Sequence, residues 1–303
     1  MTHTLQSLRK RIDWYFEKDA VLGYIALTPV VIWVAAIFLY PFGYAITLSF
    51  RNQTLIGTPS EWVGFATYAK ILSDNHFWIA LRNTIVWALG NVIGQGILAL
   101  TAGLLLHGLA GKFQWMRTLF IIPWVTPTAV AAIMWSWIIN PSYGVIASGL
   151  KQIGLIKQLP AFLGLPQWAM IISIVISSWR WFPFGAIIIL ARLEALPTEL
   201  TDAAKVDGAN GLQIFRYITW PFLMPIMSIQ FLLGTLWSFN SFDFPWLLTQ
   251  GGPGQATTTL PILIYRSAFN TFKMSQASVL SVIMFILLGV FAILFFKFMY
   301  TRE

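Results

Sequence analysis

The chain contains no cysteine. Disulfides, thiolate-bound metal and thiol catalysis are therefore excluded, and the redox compartment stays open. Charge is scarce as well: Asp, Glu, Lys and Arg make up 10% of the 303 residues, where a soluble domain carries about 25%. Histidine occurs three times, at His3, His76 and His107, without metal-ligand spacing. Gly111-Lys112 lacks an earlier glycine at phosphate-loop spacing and is followed by Phe113 rather than Ser or Thr. There is no Gly-x-Ser-x-Gly elbow and no run of four basic residues. The sequence thus offers no catalytic residue, no metal or cofactor site, no nucleotide site of its own and no nucleic-acid surface.

What the chain has in abundance is apolar residues, 57% of the total, with 15 tryptophans. Several apolar runs reach the ~20 residues that cross a bilayer as a helix. We expect an all-α membrane protein with six spans, near residues 21–48, 77–106, 118–139, 167–193, 218–247 and 276–298. The first run is too long for a signal peptide and has no small-residue cleavage site, so it should remain a span. Residues 49–76, 140–166 and 248–275 form the loops on one side, with a short interfacial helix near Val145–Ile156. The termini, residues 107–117 and residues 192–217 form the other side. That side holds eleven of the nineteen Lys and Arg, including Arg9, Lys10, Arg11 and Lys18, against six opposite. Basic residues concentrate on the cytoplasmic face, which puts both termini inside. The division is a cytoplasmic segment 1–20, a six-span domain 21–298 and a tail 299–303.

One polar stretch, residues 194–217, interrupts this pattern. It holds four of the eleven carboxylates. Pro197 ends the apolar helix before it. Thr198 is expected to cap a short helix through its hydroxyl, ending near Val206. Asp207-Gly208 breaks that helix, with Gly208 suited to a left-handed position. Asn210 and Gln213 are spaced as a capping box for a second helix. Ala203 and Ala204 offer a small-residue face to a partner.

These residues carry a resemblance. Asp202-Ala203-Ala204-x-x-Asp207-Gly208-Ala209, followed by Phe215, Ile218 and Pro221, is similar to the EAA loop of binding-protein-dependent ABC importer permeases, with Asp202 in place of the usual glutamate and Trp220 where leucine is common. Downstream, Leu248-Thr249-Gln250-Gly251-Gly252-Pro253, Thr259-Leu260-Pro261 and Ile264-Tyr265 resemble a run found in carbohydrate-uptake permeases of the maltose and glycerol-phosphate type. The resemblance implies the type I importer (MetI-like) fold in a bacterial or archaeal inner membrane. It also implies a second homologous permease, two ATPase subunits that bind ATP and Mg, and a periplasmic or lipid-anchored binding protein. Asp202, Ala203, Ala204, Asp207, Gly208 and Ala209 would then dock on an ATPase. By the same resemblance, Trp181, Phe184, Asn240 and Asp243 match solute-site positions.

The residue types suit a sugar, because rings pack on its apolar face and amide or carboxylate groups meet its hydroxyls. Asn240 and Asp243, three apart, would share one face of the fifth span. Arg180 lies mid-span, where an arginine costs about 2.5–3.5 kcal/mol on insertion scales, so it should face water, solute or an acid. An Arg180–Asp243 ion pair between spans is the alternative to a solute role. Asn91 and Gln95 read as packing contacts between helices. A transporter driven by an ion gradient would need coupling carboxylates within the spans, and Asp243 is the only acid deep enough to serve.

Overall fold

A computed structural model describes residues 19–55, 59–109, 114–155 and 159–300. Arg9, Lys10, Arg11, Lys18, Lys112, Lys157 and Arg302, used above for orientation, and most of the two terminal segments lie outside the described residues.

Among the described residues, five helices are long and apolar enough to cross a membrane: Val21–Ser49, Asn75–Gly108, Pro166–Glu194, Gly211–Phe239 and Met274–Met299. The pair Thr118–Val125 and Thr128–Ile138, bent by 99°, makes a sixth when taken as one broken span. These are spans one, two, four, five and six, with the bent pair as span three.

Span three departs from expectation, being broken rather than one straight helix. The break falls at Thr126–Pro127, where Pro127 has no N–H to continue the ladder. Proline alone does not enforce this, since Pro29, Pro183 and Pro225 sit inside continuous helices. Span five also differs from its expected range. It starts at Gly211 and ends at Phe239, and a separate helix, Asp243–Thr249, follows after Asn240–Phe242.

Spans two and four form the central seam of the bundle. Lipid tails supply no hydrophobic drive between helices, so close packing of small residues does this work. Gly103 of span two sits against Ile189 of span four, and an added Cβ would lie 2.7 Å from the Ile189 Cγ2. Ala99, Ala102, Ala186, Ile189, Leu193 and Leu223 make one buried cluster at this end. Gly103→Leu should cost about 1–3 kcal/mol by overpacking. Thermal unfolding in detergent should show it as a lowered midpoint; an unchanged midpoint would mean that the seam can open.

At the other end, Asp74 caps span two, accepting the His76 N–H at 2.9 Å. That backbone bond holds the Asp74 carboxyl below its ordinary pKa. Beyond it, Asn83 donates to the Gln255 and Thr258 carbonyls, and Thr84 accepts from the Leu260 N–H. Arg266 donates to the Gln250 carbonyl at 2.6 Å. These bonds replace the helix ladder that loop 250–259 lacks, as buried backbone requires. A two-stranded ribbon, Arg51–Asn52 with Glu61–Trp62, and helix Ala66–Leu72 occupy loop 49–76. The ribbon continues into the start of span six through Gln53 and Ser275. Helix Val145–Gln152 lies where the short interfacial helix was expected.

Span one is the exception to the packing. Its second half meets span six, with Phe42 and Phe285 edge to face at 4.7 Å. No residue from Val21 to Thr47 is buried.

Candidate functional site

Two regions carry the residues singled out above. The first is the polar loop between spans four and five. Helix Thr198–Val206 begins one residue earlier than the capping argument needs: Pro197 is the N-cap, and Thr198 is already helical and caps nothing. Proline at that position has no side-chain acceptor, so the start rests on its fixed backbone angle. The far end matches the sequence reading closely. Gly208 has φ +81°, its N–H donates to the Lys205 carbonyl at 3.0 Å, and the Ala209 N–H donates to the Ala204 carbonyl at 2.9 Å. This pair of bonds is a Schellman closure, which satisfies the last carbonyls of the helix.

Asn210 and Gln213 then form both halves of a capping box, at 2.7 and 2.9 Å. The helix they open does not stay separate. It passes through a wide turn at Phe215–Thr219 into the body of span five.

The loop is thus a short helix on a defined stalk. Asp202, Ala203, Asp207 and Gly208 are exposed, Ala204 and Ala209 half-buried, and Asp202 pairs with Lys205 at 2.8 Å. Sequence reading missed its apolar content. Val206, Leu212 and Tyr217 are 88%, 76% and 72% exposed.

The second region is a cavity of about 900 Å³ along the faces of spans two, four and five. Trp181 and Phe184 line it from span four, Asn240 from the end of span five and Asp243 from the start of the helix after it. Four of the five expected solute-site residues therefore meet in one space. The reason differs from the one expected for Asn240 and Asp243. They do not share a helix face: Asn240 ends span five, with its Nδ2 donating to the Leu236 carbonyl, and Asp243 opens the next helix. The break turns both to the cavity.

Trp237, Gln95 and Gln230 also line the cavity. Gln95, expected as packing, is therefore placed differently from Asn91, which is buried and donates to the Trp87 carbonyl at 2.9 Å. Trp124, next to the break in span three, stacks on Phe184 at 5.9 Å, and Phe184 meets Trp237 at 6.1 Å. The Trp237–Asn240 spacing of three placed both on one helical face and was the available signal.

Arg180 is placed elsewhere. It is 8% exposed and does not line the cavity. Its Nε donates to the Thr126 carbonyl at 3.3 Å, at the break of span three, and its guanidinium lies 4.7 Å from the Trp181 ring centroid. Among the described residues no Arg180–Asp243 ion pair forms. Arg180 thus supplies a donor to the Thr126 carbonyl, which lies between the two helices of the bent pair and heads no helical turn of its own. Asp243 is the one charged residue among those lining the cavity, and no group of three His, Asp or Glu among the described residues could hold a metal ion.

Known proteins place this architecture. The chain is 32% identical over 276 residues to the sulfoquinovosyl glycerol transport system permease protein SmoG of Agrobacterium fabrum, covering 90% of this chain and 89% of that protein. It is 30% identical over 283 residues to the trehalose/maltose transport system permease protein MalF of Thermococcus litoralis, covering 92% and 94%. The crystal structure of a bacterial ABC transporter that imports the acidic polysaccharide alginate has a chain of the same fold. Its TM-score is 0.81 at 24% identity, over 98% of this chain and 99% of that one. Residues 99–302 match the family described as the binding-protein-dependent transport system inner membrane component. With two thirds of its length inside that match and its spans, bent helix and polar loop in this order, the chain belongs to the binding-protein-dependent inner-membrane permeases of ABC importers.

Proposed function

We propose that this permease carries a sugar or sugar-derived solute through the cavity between spans two, four and five. The observation that carries the reading is the convergence of Trp181, Phe184, Asn240 and Asp243 on a space of about 900 Å³, a size suited to a small ligand. Aromatic walls would pack on the apolar faces of a sugar ring, and the amide and carboxylate would meet its hydroxyls. Two relatives named for glycosides, sulfoquinovosyl glycerol and trehalose or maltose, support a solute of this class. Arg180 acts beside this site, holding span three, and is not a solute ligand.

The six-span domain of residues 21–298 works with four further kinds of molecule in this reading. A second permease completes the pathway, and the unpacked face of span one supports it. Two ATPase subunits hold ATP and Mg and take the helix Thr198–Val206 with Asp202, Ala203, Ala204, Asp207, Gly208 and Ala209. A periplasmic or lipid-anchored binding protein delivers the solute, and membrane lipid surrounds the bundle. The chain itself holds no cofactor and catalyses no reaction. The polar loop and both termini face the cytoplasm in this reading, which the excess of basic residues on that side supports.

The test is uptake into proteoliposomes containing the whole assembly, with a panel of neutral, amino and acidic glycosides. Uptake of at least one glycoside should require ATP inside and binding protein outside. Uptake that follows an imposed proton or sodium gradient without ATP would replace this reading by an ion-driven carrier.

A further inference from the structure

The two spans that carry the polar loop are fastened together at their base. Arg192 stands in the last turn of span four, where a cation is favoured by the helix dipole. Its Nε donates to the Phe222 carbonyl of span five at 3.2 Å, and its guanidinium carbon lies 3.8 Å from the centroid of the Phe222 ring. One side chain thus grips one residue twice, through its backbone and through its ring. On either side, Leu193 and Leu223 are buried in the same apolar cluster. Helix Thr198–Val206 hangs from this point, with its own ends fixed by Pro197 and by the Schellman closure at Gly208.

We propose that Arg192 is a positioning residue for energy coupling. Its hold on Phe222 makes the bases of spans four and five move as one body when the short helix is displaced. Both walls of the cavity that carry Trp181 and Trp237 belong to these two spans, so a rigid base transmits displacement to the cavity. A loose base would let the helix swing while the spans stay still. A flat guanidinium on a ring is a stronger grip than an ammonium or an amide gives. The proposal rests on the reading that the short helix docks on the ATPase.

The experiment uses the complete importer with its binding protein, the other subunits being made cysteine-free, and the absence of cysteine from this chain confines its labels to the introduced site. Val206→Cys reports docking by cross-linking to the ATPase. Trp237→Cys reports the cavity through its maleimide labelling rate, with and without ATP and vanadate. With Arg192 present, trapping should change the Trp237→Cys rate. Arg192→Gln and Phe222→Leu should keep the Val206→Cys cross-link but shrink the nucleotide response of the cavity by about threefold. Phe222→Tyr, which keeps the ring, should restore it. Variants that cross-link and keep the full response overturn the proposal. So does failure of both Arg192→Gln and Phe222→Leu to assemble while Phe222→Tyr assembles, because the clasp is then needed only for folding. Loss of the cross-link with Arg192 intact sinks the docking reading instead.

Discussion

Gly208→Val should abolish most transport while leaving the bundle assembled. Gly208 sits at φ +81°, with nothing within 4 Å of an added Cβ. The obstacle is therefore the backbone and not crowding. A β-branched residue held in that region costs about 1–3 kcal/mol. The chain can escape this cost only by unwinding the turn, which gives up the Gly208–Lys205 and Ala209–Ala204 bonds and re-aims the helix Thr198–Val206. That helix buries none of its residues against the body, so nothing else holds its direction. Uptake and ATP hydrolysis stimulated by the binding protein should both fall by about tenfold or more, as expected for 1.4 kcal/mol or above. Because nothing packs on Gly208, the bundle should unfold at nearly the same temperature. Gly208→Asn, which tolerates the left-handed region, should lose far less. Wild-type uptake in Gly208→Val would show that the aim of this helix does not matter.

The second large effect concerns Asp243 and Asn240. Removing one hydrogen bond to a solute costs about 0.5–1.5 kcal/mol, and up to about 3 where one partner is charged. Asn240→Ala should therefore weaken solute uptake by up to about tenfold, and Asp243→Ala by up to about a hundredfold. Neither should affect stability. Both side chains are exposed, and Asp243 pairs with no described cation, so its removal strands no buried charge. This separates the solute role from the inter-span ion pair that the sequence left open. The ion pair would predict a destabilised protein in Asp243→Ala, rescued by changing Arg180 as well. Lowered thermal stability with uptake per folded molecule unchanged would remove Asp243 from the site.

The parts of this molecule that were legible in sequence are those fixed by local rules. Span length follows from bilayer thickness, and span limits came within a few residues for spans one, two, four and six. The stop at Gly208 and the box at Asn210–Gln213 are chemistry of adjacent residues, so they could be read directly. The breaks were harder. Thr126-Pro127 breaks span three and Pro183 does not break span four, so proline alone does not mark a break. At Thr126 the exposed carbonyl is met by Arg180, 54 residues away in the chain, and such a contact is not local information. The end of span five had a local mark that was overlooked: Pro245 falls in the first turn of the following helix, a position proline favours. Arg180 and Trp181 differ by one position, hence by about 100° around the helix. Composition could place both at mid-span but could not say which one faced the cavity.

Span one deserves a different vocabulary from the other five. Between Val21 and Thr47 no residue is fully buried, and only the second half meets the bundle, through span six, so the bilayer alone holds the first half. For the isolated chain, an apolar segment of similar length would serve as well in that first half, where Tyr24 and Trp33 would be interchangeable with leucine. On the proposed assembly with a second permease, the sequence of that segment answers to another molecule's surface. A mismatch there would then leave a sound but orphaned subunit, and the amount of finished importer would follow the scarcer of the two membrane halves.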